Sequence, residues 1–191
     1  MFTAGHTPAH KGRSVTTDPI KDLAVVQKIK ALLTGRDLAL WTVAVNSALR
    51  AGDLCALTWD DTEDDGTTIT LTLLEGKTKK RRVIPLNPET SGYLRSWRTS
   101  CESVWIYSGQ RGRLTTATFG RLVKHWCAEV GLKGSFSGHS TRKTWARLQH
   151  EKFGTSMATL MSALNHSTER QTLVYIGKLS DDVQRAYANA L

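Results

Sequence analysis

The sequence predicts an α+β domain, mainly α-helical with one small antiparallel β-sheet. Apolar residues recur at three- and four-residue steps through most of the 191-residue chain, the spacing of helices with one buried face. A single stretch, TTITLTLLEGKTKKRRVIPL, changes to alternation around a glycine, which is a hairpin pattern. Hydrophobic residues make up 40% of the chain, with six Trp, four Tyr and four Phe, enough to fill a core of ordinary domain size.

Residues 1–18 are polar, basic and rich in Gly, Pro, Thr and His, and predict a flexible arm; the domain proper is expected over 19–191. Asp18-Pro19 reads as a helix start, with Asp18 as N-cap and Pro19 in the first turn, where a missing N–H costs nothing. A second helix, GRDLALWTVAVNSAL, carries Leu38, Trp41, Val45 and Leu49 on one face and delivers Arg50 at its C-terminal end. Gly52 breaks the pattern and Asp53 is placed to cap a short helix holding Leu54 and Leu57. The hairpin follows, with Lys77, Lys79, Lys80, Arg81 and Arg82 at and after its turn. Helical spacing returns from Thr90 to Trp97 and in TATFGRLVKHWCAEVGL, where Phe119, Leu122, Val123, Trp126 and Val130 form a stripe. The last third is a series of short helices separated by Gly, Ser and Asn, and no repeat of fixed period runs through the chain.

Lys and Arg number 26 against 17 acidic residues, a formal net charge of +9 that points to a polyanionic partner, nucleic acid first. Cys55, Cys101 and Cys127 are widely spaced with no C-x-x-C, so neither a disulfide framework nor a zinc site is encoded and a reducing, cytoplasmic setting is expected. No apolar run approaches the roughly 20 residues of a membrane span, and the first residues lack the apolar stretch of a signal peptide.

Several residues could carry chemistry. His139 and Arg142 in GHSTR are three apart, so on a helix they share a face and can address one anion. Gly76-Lys77-Thr78 looks like the end of a phosphate-binding loop. That motif needs a glycine where Leu71 stands and a helix where strand residues follow, so a basic turn facing a phosphodiester backbone is the better reading. His166 and Tyr175 in NHSTERQTLVY, taken singly, read as a hydrogen-bonding histidine and an amphipathic core tyrosine.

Their order changes the weight of each. Arg50 in ALRAGDLCALTWDD, Lys77 in EGKTKKRRVIPL, His139 and Arg142 in GHSTRKTWA, His166 in LNHSTERQT and Tyr175 in LVYI together resemble the catalytic domain of the tyrosine recombinases, the phage-integrase family. The resemblance runs from about Asp18 to the C-terminus. It implies the DNA breaking-rejoining enzyme fold, with the helical domain that usually precedes the catalytic one expected to be absent. It also implies site-specific recombination of double-stranded DNA through a covalent 3′-phosphotyrosyl intermediate, by a multimer assembled on DNA.

On that resemblance Arg50 and Arg142 would hold the non-bridging oxygens of a phosphodiester, with His166 donating a further hydrogen bond. Tyr175 would be the nucleophile and His139 its base. Lys77, with Lys79 as the alternative, would protonate the departing 5′-oxygen. Asp53 would orient the arginine or support the local turn. Lys79, Lys80, Arg81, Arg82 and Lys143 would meet the DNA backbone. Such chemistry requires no metal and no nucleotide cofactor. Two other readings stand beside it: a type IB topoisomerase-like nicking and closing enzyme, and an inactive DNA-binding accessory module.

Overall fold

The computed structural model describes residues 16–109 and 112–189; most of the expected N-terminal arm, residues 1–15, lies outside them. The first helix, α1 (Leu23–Leu32), starts later than the Asp-Pro signal predicts. Asp22 caps it, its carboxylate accepting from the Ala24 N–H at 2.8 Å. Asp18 instead pairs with Ser135, donating its N–H to the Ser135 carbonyl at 2.7 Å and accepting the Ser135 N–H at 2.9 Å. The buried Ile20 donates its N–H to the Thr144 hydroxyl at 2.8 Å. Residues 18–21 therefore form an extended strap along the core. The cap went to the aspartate whose position left Ile20 free to bury.

Helix α2 (Gly35–Asn46) runs through the core with Leu40, Trp41 and Val43 fully buried. Trp41 meets Trp126 edge to face, ring centres 5.8 Å apart. The helix ends at Asn46, short of Arg50. A turn with Ala48 in the left-handed region (φ 53°) intervenes, and Arg50 is the extended N-cap residue of a short helix, α3 (Ala51–Cys55).

A 3₁₀ turn (Trp59–Asp61) leads into a three-stranded antiparallel sheet, β1 (Thr62–Asp64), β2 (Ile69–Leu74) and β3 (Arg81–Pro85), in the order β1-β2-β3. The expected hairpin is β2–β3, in register Leu71 opposite Ile84 and Leu73 opposite Arg82. Ile69, Leu71 and Leu73 point into the core. Helix α4 (Pro88–Arg98) is capped by Asn87 and packs on α2. A second sheet, β4 (Ser108–Gly109) with β5 (Gly112–Arg113), was not expected, because two-residue strands leave no alternation to read.

Helices α5 (Thr116–Glu129) and α6 (Gly138–Glu151) close the core, and Phe119, Val123 and Trp126 of the expected stripe are buried. Three shorter helices follow: α7 (Met157–Leu164), α8 (Glu169–Tyr175) and α9 (Lys178–Ala188). Among the described residues no helix is long and apolar enough to cross a membrane.

Candidate active site

Two structural details bring α3 and the start of α6 to one place. Gly138, first residue of α6, lies so close to α5 and α3 that an added Cβ would meet Phe119 Cδ1 at 2.8 Å and Ala51 Cβ at 3.1 Å. Only a glycine lets the helices approach so far, and His139 and Arg142 are carried in with them. The Arg142 side chain, 3% exposed, donates Nη1 to the Ala48 carbonyl and Nη2 to the Leu164 carbonyl at 2.9 Å. It thus ties the turn before Arg50 to the turn before His166. Two of its five N–H groups are occupied in this way, and the guanidinium also faces the Tyr175 phenol.

His166 is placed by the end of α7. Asn165 adopts the left-handed conformation (φ 55°, ψ 49°) that terminates a helix, and the His166 N–H donates to the Met161 carbonyl at 2.9 Å. The His166 ring meets the Tyr175 ring edge to face at 5.1 Å, and its Nδ1 lies 3.0 Å from the Thr172 hydroxyl oxygen. Tyr175 is half-buried at the last turn of α8, with the Lys143 ammonium 5.3 Å from its ring centre.

The loop between β2 and β3 is held at both ends. The buried Glu75 carboxylate takes Arg50 Nη1 at 2.7 Å, Arg82 Nη1 at 3.0 Å and the Thr78 hydroxyl at 2.6 Å. Burial acts to raise its pKa, but the Thr78 hydroxyl and the two guanidiniums outweigh burial and hold it down at about 2. Asp53 lies inside the first turn of α3 rather than at its cap, and its carboxylate accepts the Gly76 N–H at 2.9 Å. At the far end Lys80 Nζ donates to Asn165 Oδ1 at 3.0 Å.

Arg50, Lys77, His139, Arg142, His166 and Tyr175 all line one cavity of about 330 Å³, with Thr78, Leu164, Asn165 and Gln171 completing its wall. Lys77, not Lys79, is the hairpin lysine that faces it; Lys79 sits exposed at the left-handed corner of the loop (φ 57°). Of the other expected basic contacts, Lys80 and Arg81 are exposed, while Arg82 is turned in toward Glu75. Lys143 is buried and donates to the Thr17 carbonyl at 2.7 Å.

The electrostatics suit an anion. Burial, then the charges of Arg142, Lys143 and Arg50, lower the pKa of His139 below the ordinary histidine value, and burial with Arg142 and Arg50 lowers that of His166. Both rings are neutral at pH 7. Burial raises the Tyr175 pKa while Arg142 and Arg50 pull it back, so the phenol keeps its proton until a base removes it. The cavity gathers fixed positive charge around a half-buried phenol and beside a neutral imidazole. That is equipment for holding an oxyanion while a nucleophile is deprotonated. Among the described residues no group of three or more His, Cys, Asp or Glu side chains is arranged to hold a metal ion.

Two residues at the site escaped the reading of the sequence. Glu75 continues the inward parity of Ile69, Leu71 and Leu73, a signal masked by the cations that follow it. Thr172 sits three residues before Tyr175, one helical turn away, and is fully buried.

Comparison with known proteins places these features in company. The model of the phage integrase family matches residues 14–181. A probable integrase/recombinase of Bacillus subtilis is 29% identical over 178 residues, covering 88% of this chain and 94% of its own. A tyrosine recombinase, XerC, of Chlamydia caviae is 24% identical over 169 residues, covering 84% of this chain and 53% of its own. The chain thus spans nearly all of the first relative and about half of the second. Among solved structures, the XerH recombinase in a post-cleavage complex with its palindromic difH substrate superposes with a TM-score of 0.70 at 19% identity, over 84% of this chain and 48% of that one. The XerA recombinase gives the same TM-score, 0.70, at 20% identity, over 88% of this chain and 65% of that one.

Proposed function

This chain belongs to the phage integrase family and has the fold of its catalytic domain, and from that premise we propose that it breaks and rejoins double-stranded DNA through Tyr175. The Tyr175 oxygen attacks the scissile phosphorus, forming a 3′-phosphotyrosyl bond as the bond from phosphorus to the 5′-oxygen breaks. The phenol proton passes to His139, and Lys77 protonates the departing 5′-oxygen. Arg50 and Arg142 hold the non-bridging oxygens, where charge gathers in the transition state, and His166 donates a third contact. Attack by the 5′-hydroxyl of a second duplex reverses the step and completes strand transfer. The tyrosyl ester conserves the energy of the phosphodiester, so no nucleotide is consumed.

The observation that carries this reading is the shared cavity: six side chains drawn from α3, the hairpin loop, α6 and the segment ending at Tyr175 line one space of about 330 Å³. A pool of random-sequence duplexes, each nicked beside the cleavable position so that the 5′-hydroxyl fragment is lost, tests it. In the presence of EDTA and without nucleotide, a covalent adduct on a 3′-phosphate end is expected. Adducts only on 5′ ends, or none from any sequence, would refute the scheme. Recovered sites placed in pairs on a supercoiled plasmid should give recombinant junctions; relaxation alone would assign a topoisomerase.

The exposed Lys79, Lys80 and Arg81 extend the positive surface beyond the cavity, where phosphates on either side of the cleaved one would lie. Binding to duplex DNA should therefore depend steeply on salt. With about six phosphate contacts, affinity falls roughly 10³-fold between about 50 and 200 mM salt. Fluorescence anisotropy measures this, and an affinity flat over that interval would show that phosphate contacts do not dominate. The proposed assembly on DNA is supported by α9, which buries no residue and exposes Val183 and Tyr187.

A further inference from the structure

Thr172 touches none of the bonds made or broken in the proposed reaction, yet its hydroxyl is the hydrogen-bond partner of the His166 ring. It is fully buried, and its Oγ1 lies 3.0 Å from His166 Nδ1. A buried hydroxyl requires an acceptor for its proton. In a helix such a hydroxyl often donates to the carbonyl four residues back; here that carbonyl, at Thr168, accepts the Thr172 backbone N–H at 3.4 Å and no hydrogen bond from the hydroxyl. Among the described residues Nδ1 is the hydroxyl's one hydrogen-bond partner. The proton on the hydroxyl therefore points to Nδ1, and Nδ1 must offer a lone pair.

We propose that Thr172 is a positioning residue: its hydroxyl donates to His166 Nδ1 and fixes the imidazole as the tautomer that carries its proton on Nε2. Two chemistries hang on that choice. With the proton on Nε2, the edge of the ring away from Thr172 donates to a non-bridging oxygen in the cavity that His166 lines. With the proton on Nδ1, Nε2 would present a lone pair beside the phenol and compete with His139 for its proton. The ring is neutral, the state in which tautomers differ, because burial and the nearby Arg142 and Arg50 disfavour its charged form. Contact with the Tyr175 ring at 5.1 Å leaves the imidazole little freedom to turn over once Nδ1 is engaged.

The geometry of this assignment is independent of the strand-transfer reading, while its consequence for rate rests on it, and the test separates the two. Nitrogen-15 NMR of histidine-labelled free protein reports the tautomer directly. For His166 an unprotonated Nδ1 and a protonated Nε2 are expected. Thr172→Val removes the hydroxyl with little change of shape; the His166 signals should then shift toward a mixture of tautomers, and single-turnover cleavage should slow roughly tenfold. Thr172→Ser keeps the hydroxyl and should recover most of the rate. A protonated Nδ1 in the wild type overturns the proposal, as does a valine variant with wild-type tautomer and rate. If the valine variant fails to fold, the wild-type spectrum still decides. The expected tautomer in a protein that captures no DNA would sink the strand-transfer reading and leave the role of Thr172 in fixing the ring intact.

Discussion

Replacing Tyr175 with Phe is expected to abolish covalent capture of DNA while leaving the fold and the affinity for duplex DNA in place. The phenol ring packs between the His166 ring at 5.1 Å and the Lys143 ammonium at 5.3 Å, and a phenylalanine ring keeps both contacts. The loss is confined to one oxygen. Removing a nucleophile from an otherwise intact site lowers the rate by roughly 10⁴-fold or more, while a conservative substitution of this kind leaves stability within about 1 kcal/mol. Denaturing gels on the nicked substrates and thermal melts read the two quantities separately. An adduct that survives the substitution would assign the chemistry to another side chain.

The pH dependence of the wild-type reaction follows from the same groups. The phenol is protonated at neutral pH because burial raises its pKa, so the rate tracks the fraction of His139 able to accept a proton. His139 has a lowered pKa, which means that its base form is present above that value and is lost as pH falls through it. Cleavage should rise with pH, with its midpoint below the ordinary histidine value of 6.5, and level off above that midpoint. A midpoint above that value would remove His139 from the role of base.

How far the sequence reveals this site depends on which interactions are local. Helical spacing marked the stripe on α5 because burial of one face repeats along the chain, and the hairpin was legible because its alternation is equally local. The start of α1 was misread because Asp18 and Asp22 are both competent caps, and the choice between them was made by a distant partner, Ser135. The six candidate residues were found through their order, which resembles a known family; their convergence depends on contacts such as the one Gly138 permits. Nothing in the local pattern near Lys143 announces that its ammonium turns inward to Thr17, over 100 positions away in sequence. Glu75 could have been found by continuing the strand's parity by one step, since a carboxylate on the inward face must find a cation.

Arg142 should be the least replaceable of the cationic residues, because it serves both the fold and the proposed reaction. Its guanidinium holds the Ala48 and Leu164 carbonyls together from a nearly closed position, 3% exposed, and so sets the turns that present Arg50 and His166. Arg142→Ala leaves two carbonyls without their donor at a cost of about 1–3 kcal/mol each, and the cavity loses an oxyanion contact worth about 10²–10³-fold in rate. Arg142→Lys separates these effects. An ammonium keeps the charge but lacks the planar fork that reaches two carbonyls and a phosphate oxygen at once, so cleavage should still fall by roughly 10²-fold. Arg50→Lys provides the comparison: Arg50 is more exposed and pairs with carboxylates, Glu75 at 2.7 Å and Asp53 at 3.9 Å, which a lysine can still pair with, so its melting temperature should change less for a similar loss of rate. Single-turnover cleavage and thermal melts on the three variants test the ranking. A lysine at position 142 that cleaved DNA at close to the wild-type rate would mean that charge alone, and not the fork bridging two turns, is what the site needs there.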